Sequence, residues 1–164
     1  MKVDAIVNVD NSSLLGSSGV EGYKNKTAMI HQIDFSLPEY HYGFHLITAD
    51  ILSRIGELPE IGLLNLFIKH TSAGLAINEN ADSSVRGDFK TFFSDWIPEN
   101  YSKFEHNYEG LDDMPAHIKS SVIGQSLMIP ITNHRLNLGT WQGIYLCEFR
   151  YSGGQRKFVA TIYS

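Results

Sequence analysis

An α+β fold with a mostly antiparallel sheet is what this sequence predicts, and three observations predict it. Apolar residues alternate with period two in segments at both ends of the main region. Two segments with helical signals lie between them. Two helices are too few to carry the crossovers of a wound parallel sheet.

Residues 1–26 differ in texture from the rest, since "NSSLLGSSGVEG" is Ser/Gly-rich and polar, the composition of a loop or flexible lead-in. "DAIVNV" within it offers a short edge strand. Residues 27–164 then form one domain. Ile33, Phe35 and Leu37 alternate before Pro38 ends the run, which makes a strand. "GFHLIT" is another candidate, and "SRIGEL" a short helix. In "LLNLFIKH", Leu64, Leu66, Ile68 and His70 share one strand face, so His70 points where the leucines point. Val85, Phe89, Phe92, Phe93 and Trp96 recur at helical spacing, which predicts a core-packed helix, capped by Asn80 or Asp82 and stopped by Pro98. "DDMPAHIKSSVIG" is a second helix, with Asp113 as N-cap, Pro115 in its first turn and Gly124 at its end. "SLMIPI", "GIYLCEFRY" and "RKFVATIY" are strands. The segment from Thr71 to Gly74 reads as a turn of small residues before the polar "NENAD".

The chain of 164 residues is long enough to bury a core without staples. It contains no apolar run of membrane-spanning length and no signal-peptide order at its start. The lone Cys147 rules out an internal disulfide and fits a reducing cytoplasm. A net charge of −5 without a basic block argues against nucleic acid as a partner.

Chemistry is concentrated in three histidines. His70 ends an inward-facing strand, while His106 and His117 flank the acidic "EGLDD". Three imidazoles around one ion, with an open fourth position, is the arrangement of a catalytic zinc site, and neighbouring carboxylates would fix the ring tautomers. The competing reading is three solvated or hydrogen-bonded rings, because the spacing is no specific metal motif. His31, His41, His45 and His134 lie near strand ends or turns and take that plainer reading. Cys147 alternates with Tyr145 and Phe149 as a small packed side chain. Glu148 shares a strand face with Ile144, Leu146 and Arg150, and Glu148 and Arg150 either pair with each other or reach a pocket. "NLGTWQG" is either a tight turn anchored by Trp141 or a backbone wall beside a ligand.

The blocks "GLLNLFIKHTSAGLAINENADSSVRGDFKTFF", "HNYEGLDDMPAHIKSSVIGQSLMIPITN", "LNLGTWQGIYLCEFR" and "GGQRKFVATIY" resemble the YjbQ family, named for secondary thiamine-phosphate synthase activity. The resemblance runs from Lys26 to Tyr163, with two departures: the first 25 or so residues form an extension, and His134 stands where the family carries glycine. It implies a mainly antiparallel β sandwich with two flanking helices, assembled as a homotrimer. It also implies a polar pocket holding His70, Asn78, Glu79, Asn80, Asp82, His106, Asp113, His117 and Glu148, with Trp141 beside it. Glu79, Asp82, Asp113 and Glu148 are then the catalytic carboxylates, and Asn78 and Asn80 bind substrate. A divalent metal ion, zinc among the candidates, belongs at the histidines.

The implied activity joins a pyrimidine methyl diphosphate to a thiazole phosphate and releases pyrophosphate. A leaving pyrophosphate needs cationic stabilisation, for which the metal, Lys69, Arg86, Lys119 and Arg150 are candidates. Two other classes stand beside it: a metal-dependent hydrolase, and a non-catalytic trimer whose pocket holds a small anion.

Overall fold

The computed structural model describes residues 2–7 and 28–164, so the Ser/Gly-rich lead-in lies outside the described residues. Nine strands and three helices follow along the described chain: β1 (Lys2–Val7), β2 (Ala28–Leu37), β3 (Gly43–Leu46), α1 (Thr48–Ile55), β4 (Ile61–Ile68), β5 (Ala73–Glu79), α2 (Ser83–Trp96), α3 (Asp113–Ile123), β6 (Ser126–Thr132), β7 (Arg135–Leu136), β8 (Gln142–Glu148) and β9 (Arg156–Tyr163). They build two antiparallel sheets. The larger has the order β1-β2-β9-β4-β6-β7 and the smaller β3-β8-β5. The C-terminal strand β9 sits between β2 and β4, pairing Ala160 with both Ile33 and Leu66.

The alternation that marks the strands also builds the layers. Leu64, Leu66 and Ile68 of β4, with Phe158, Ala160 and Ile162 of β9, face Ala73 and Leu75 of β5 and Ile144 and Leu146 of β8 across the main core. Ile51 and Ile55 of α1 join the same core. The other face of the small sheet sends Tyr145 and Cys147 into a second core, joined by Tyr42, Ala116 and Phe149. The small sheet is thus covered on both sides, which explains the unbroken apolar run of β8. Burial in this second core pushes the Cys147 thiol up from its ordinary pKa. No helix of the described residues is long and apolar enough to cross a membrane.

Three expectations need correction. First, the short helix starts earlier than "SRIGEL": α1 begins at Thr48, whose Oγ1 accepts the Ile144 N–H at 2.9 Å and so ties the helix start to β8. Second, the small-residue segment after His70 is a bend only at Thr71 and Ser72; Ala73 and Gly74 are strand. Gly74 lies inside β5 because α3 packs directly on it; a Cβ there would stand 2.8 Å from Ile123 Cγ2 and 2.9 Å from the Gly124 carbonyl. The composition that suggested a turn reflects close packing. Third, the aromatic stripe of α2 is only partly core. Phe93 is buried and reaches Phe44 and Phe149, whereas Phe92 and Trp96 are 63% and 55% exposed. Phe89 is half-buried against Phe44.

Candidate functional site

Helix α3 carries the site. Its N-cap is Asp112, one residue before the expected position, and the Asp112 carboxylate does not cap. That carboxylate instead accepts from Arg150 Nε and the Tyr151 N–H, both at 3.0 Å. Asp113 is turned inward, 1% exposed, with Oδ1 receiving Arg150 Nη1. Arg150 Nη2 donates to the Glu109 carbonyl at 2.8 Å. The guanidinium expected to bind substrate is therefore fully engaged in holding the acidic loop against α3.

The other Asp113 oxygen has no such partner. Oδ2 is buried and accepts no hydrogen bond, although His106 Nε2 lies 2.8 Å away and His117 Nε2 3.5 Å away. The His117 tautomer follows from its other nitrogen: Nδ1 lies 3.0 Å from the Thr71 carbonyl, which can only accept, so Nδ1 carries the proton. In the neutral ring Nε2 then presents a lone pair toward the Asp113 carboxylate. A cation between these two acceptors, either a metal ion or a proton on the ring, would satisfy the buried carboxylate oxygen. Among the described residues, His106, Asp113 and His117 form the one group of histidine, cysteine and carboxylate donors close enough to hold a metal ion, all ligand atoms within 4.8 Å of one another. An orphaned carboxylate oxygen, two imidazoles and a backbone carbonyl fixing one tautomer are a donor set that fits a divalent metal. His106, half-exposed, leaves the group open to solvent.

His70 stands outside that group of close donors. Its Nε2 accepts the Lys157 N–H at 2.8 Å, and its Nδ1 lies 3.3 Å from Arg156 Nη1. Burial first, and the Arg156 charge second, hold its pKa below the ordinary histidine value. His70 and His117 nevertheless line one cleft of about 750 Å³, together with Lys69, Thr71, Ser72 and Gln125. The turn between β4 and β5 thus contributes a wall ring, His70, and the Thr71 carbonyl that sets the His117 tautomer.

The remaining candidates divide. Asn78, Glu79 and Trp141 line a separate open cleft of about 460 Å³ with Ile77 and Gln142. Asn80 ties that region together by donating to the Gln142 carbonyl at 2.9 Å. Asp82, expected to be catalytic, is instead the exposed N-cap of α2 and accepts the Ser84 N–H at 2.7 Å. The first turn of the helix uses its carboxylate, and that hydrogen bond lowers its pKa. Arg86 lies in the first turns of α2, outside the clefts just described. Lys69 is exposed, 3.4 Å from Asp34. Lys119 is buried, outside the group of metal donors, with Tyr42 as partner. Glu148 is fully buried, and its partner is Arg156, with Nε 2.6 Å from Oε2; from Arg150 it receives only a backbone N–H, at 2.9 Å.

Arg156 is the residue sequence reasoning passed over. The signal was there: Arg156, Phe158, Ala160 and Ile162 occupy alternate positions of one strand, and the last three face the core. A guanidinium at the head of an inward-facing column requires a buried partner.

The family model for "UPF0047 protein YjbQ-like" matches residues 32–164. A protein of Salmonella typhimurium described as UPF0047 protein YjbQ is 52% identical over 136 residues, covering 82% of this chain and 98% of its own. A solved protein of this family from Clostridium acetobutylicum is 35% identical with a TM-score of 0.66, covering 80% of this chain and 99% of its own. A YbjQ-like protein of unknown function from Sulfolobus solfataricus shares the fold at a TM-score of 0.72 and 20% identity, covering 84% and 99% of the two chains. With the family model running from within β2 to the C-terminus, the chain belongs to the YjbQ-like UPF0047 family.

Proposed function

We propose that this chain is a metal-dependent enzyme acting on a small phosphorylated molecule, and that its reaction is of the thiamine-phosphate synthase type: joining a pyrimidine methyl diphosphate to a thiazole phosphate with release of pyrophosphate. The observation that carries the reading is the buried Asp113 Oδ2, without a hydrogen bond and faced by two imidazoles. A divalent cation held by His106, Asp113 and His117, with zinc a candidate, would supply the positive charge that a departing pyrophosphate requires. The chain's own residues prepare the place. Arg150 orients Asp113 through Oδ1, and the Thr71 carbonyl orients His117. Lys69 lines the cleft that His117 lines, where it can meet a phosphate. His70, kept neutral by burial, gives the same cleft a polar wall that does not repel the cation.

A homotrimer completes this reading. The large sheet leaves Ile61, Leu63, Phe67, Met128 and Tyr163 exposed, an apolar surface suited to a second copy. A reducing compartment such as the cytoplasm suits a chain whose single thiol is buried.

The deciding experiment measures pyrophosphate release and thiamine phosphate formation from the two phosphorylated substrates, before and after chelation and with zinc restored. Joining that disappears on chelation and returns with zinc supports the reading. Pyrophosphate released without the thiazole partner points instead to hydrolysis by solvent reaching the open His106 side. No turnover in the metal-loaded protein overturns the reading.

A further inference from the structure

Lys119 lies in the middle of α3, is 1% exposed, and has one hydrogen-bond partner, Tyr42 Oη at 3.0 Å. Among the described residues no carboxylate forms an ion pair with it. That is an unusual condition for a desolvated ammonium, which ordinarily persists only when paired. The hydrogen-bond directions around it are fixed. Ser94 Oγ donates to the Lys90 carbonyl at 2.8 Å, so the Tyr42 hydroxyl, 3.0 Å away, donates to Ser94. Tyr42 Oη is left as a neutral acceptor for Lys119, and the chain ends at a carbonyl without meeting any negative charge. The exposed Lys90 places a second ammonium 5.5 Å from the Tyr42 ring centre, and Lys119 lies 5.3 Å from it.

Lys119 is also a wall of a cleft of about 350 Å³, with Ser94, Glu99, Asn100, Leu111 and Tyr151. Glu99, Asn100 and Leu111 also line a smaller cleft, about 210 Å³, that carries His106. A buried cation lacking a counter-ion and lining a cleft is a place prepared for an anion that the chain does not itself supply.

We propose that this cleft binds the carboxylate group of a small organic acid, with Lys119 Nζ as its counter-ion and Tyr42 Oη holding the ammonium in place. The single desolvated cation matches a single negative charge. Glu99 is fixed on the same wall by the Tyr151 hydroxyl at 2.7 Å. Its charge would repel a dianion such as phosphate. Glu99 and Asn100 leave an acceptor and an amide for a hydroxyl or amine on the acid, and Leu111 with Pro98 offers it an apolar side. The site is distinct from the metal donors and needs no ion there.

The test is thermal unfolding of the full chain, metal-stripped and dialysed, across an acetate series at ionic strength held constant with chloride, and a parallel series in inorganic phosphate. The melting midpoint rises with acetate, by about 5–10 °C at a hundredfold excess over the dissociation constant. Lys119→Met removes that rise and melts no lower than the parent in chloride, because an apolar side chain of similar length replaces an unpaired buried charge. An acetate effect that survives in Lys119→Met overturns the proposal, as does its absence in the parent chain or a larger effect from phosphate. Should Lys119→Met fail to fold, Tyr42→Phe serves instead: the ammonium loses the hydroxyl that holds it in place, so the rise shrinks, and a rise that is unchanged or larger overturns the proposal. Because no metal is present, these outcomes are independent of the His106–Asp113–His117 reading.

Discussion

Arg156 holds Glu148 with two arms of its guanidinium: Nε is 2.6 Å from Oε2 and Nη2 2.5 Å from Oε1, and neither side chain is more than 4% exposed. The pair adjoins His70, whose Nδ1 is 3.3 Å from Arg156 Nη1, and the Gly153 backbone passes so close that a Cβ there would collide with both partners. Arg156→Met leaves the Glu148 carboxylate buried and unpaired, so it costs about 3–5 kcal/mol of unfolding free energy in urea. Glu148→Gln in the same chain recovers part of that loss, since the stranded charge is gone. Equal stability of the single and double variants would show that the two side chains do not act as a pair.

Burial holds two histidines, His45 and His70, below their ordinary pKa. That ordinary value is about 6.5. The sign follows from linkage. As pH falls through about 6.5 the unfolded chain takes up protons that the folded rings still refuse, so stability is full above about pH 7 and declines below about 6.5 until the folded values are passed. The melting midpoint should therefore drop between about pH 6.5 and 5. His45→Gln makes the drop shallower; an unchanged profile in that variant removes His45 from the account.

The β6–β7 hairpin turns through two residues of positive φ, Asn133 at 52 and His134 at 60 degrees. Both are left-handed, as a tight hairpin turn of this twist requires. His134 also donates from Nδ1 to the Leu58 carbonyl at 2.9 Å, which compensates for a residue ill-suited to that backbone. His134→Ala loses the hydrogen bond and keeps the strain; His134→Gly loses both. Glycine should be the more stable of the two by about 1 kcal/mol in chemical denaturation.

Phe93 and Phe92 are neighbours on α2 with opposite fates. The Phe93 ring is buried and packs on Phe44 and Phe149. Phe93→Ala should therefore cost about 3–5 kcal/mol. Phe92→Ala should change the unfolding midpoint little, because that ring is 63% exposed. Similar losses from both would place the whole aromatic stripe in the core.

That contrast shows where sequence reasoning stops. Helical spacing put Phe89, Phe92, Phe93 and Trp96 on one broad face, but it does not say how wide a surface covers that face. The small sheet presents only three strands, and Phe93 is the one ring of α2 that is buried. Strands β2, β4, β6 and β9 were legible because alternation is local, and β8 because an apolar run is local too. Strand β5 was not, because Gly74 answers to α3, an element far along the chain. The site was half legible. His106, Asp113 and His117 lie within one polar segment and its following helix, so their convergence needs little chain. The place of His70 is set by Lys157 and Arg156 from the last strand, which no spacing around "IKHTSA" reveals.

The last prediction separates the ligands from the wall. His106→Ala and His117→Ala each remove one of three donors, and Asp113→Ala removes the shared carboxylate, so each should abolish stoichiometric zinc uptake measured by calorimetry on stripped protein. His70→Ala should keep it, because Nε2 of that ring is occupied by the Lys157 N–H and the ring stands outside the donor group. Loss of function in His70→Ala should then appear as weakened substrate binding, since the ring lines the cleft beside His117. Asp113→Ala also takes a buried partner from Arg150, which keeps Asp112 and the Glu109 carbonyl, so it should lower stability as well; His106→Ala, at an exposed position, should not. Zinc uptake lost in His70→Ala would restore the three-histidine site, and uptake kept in both His106→Ala and His117→Ala would leave Asp113 with no metal to bind.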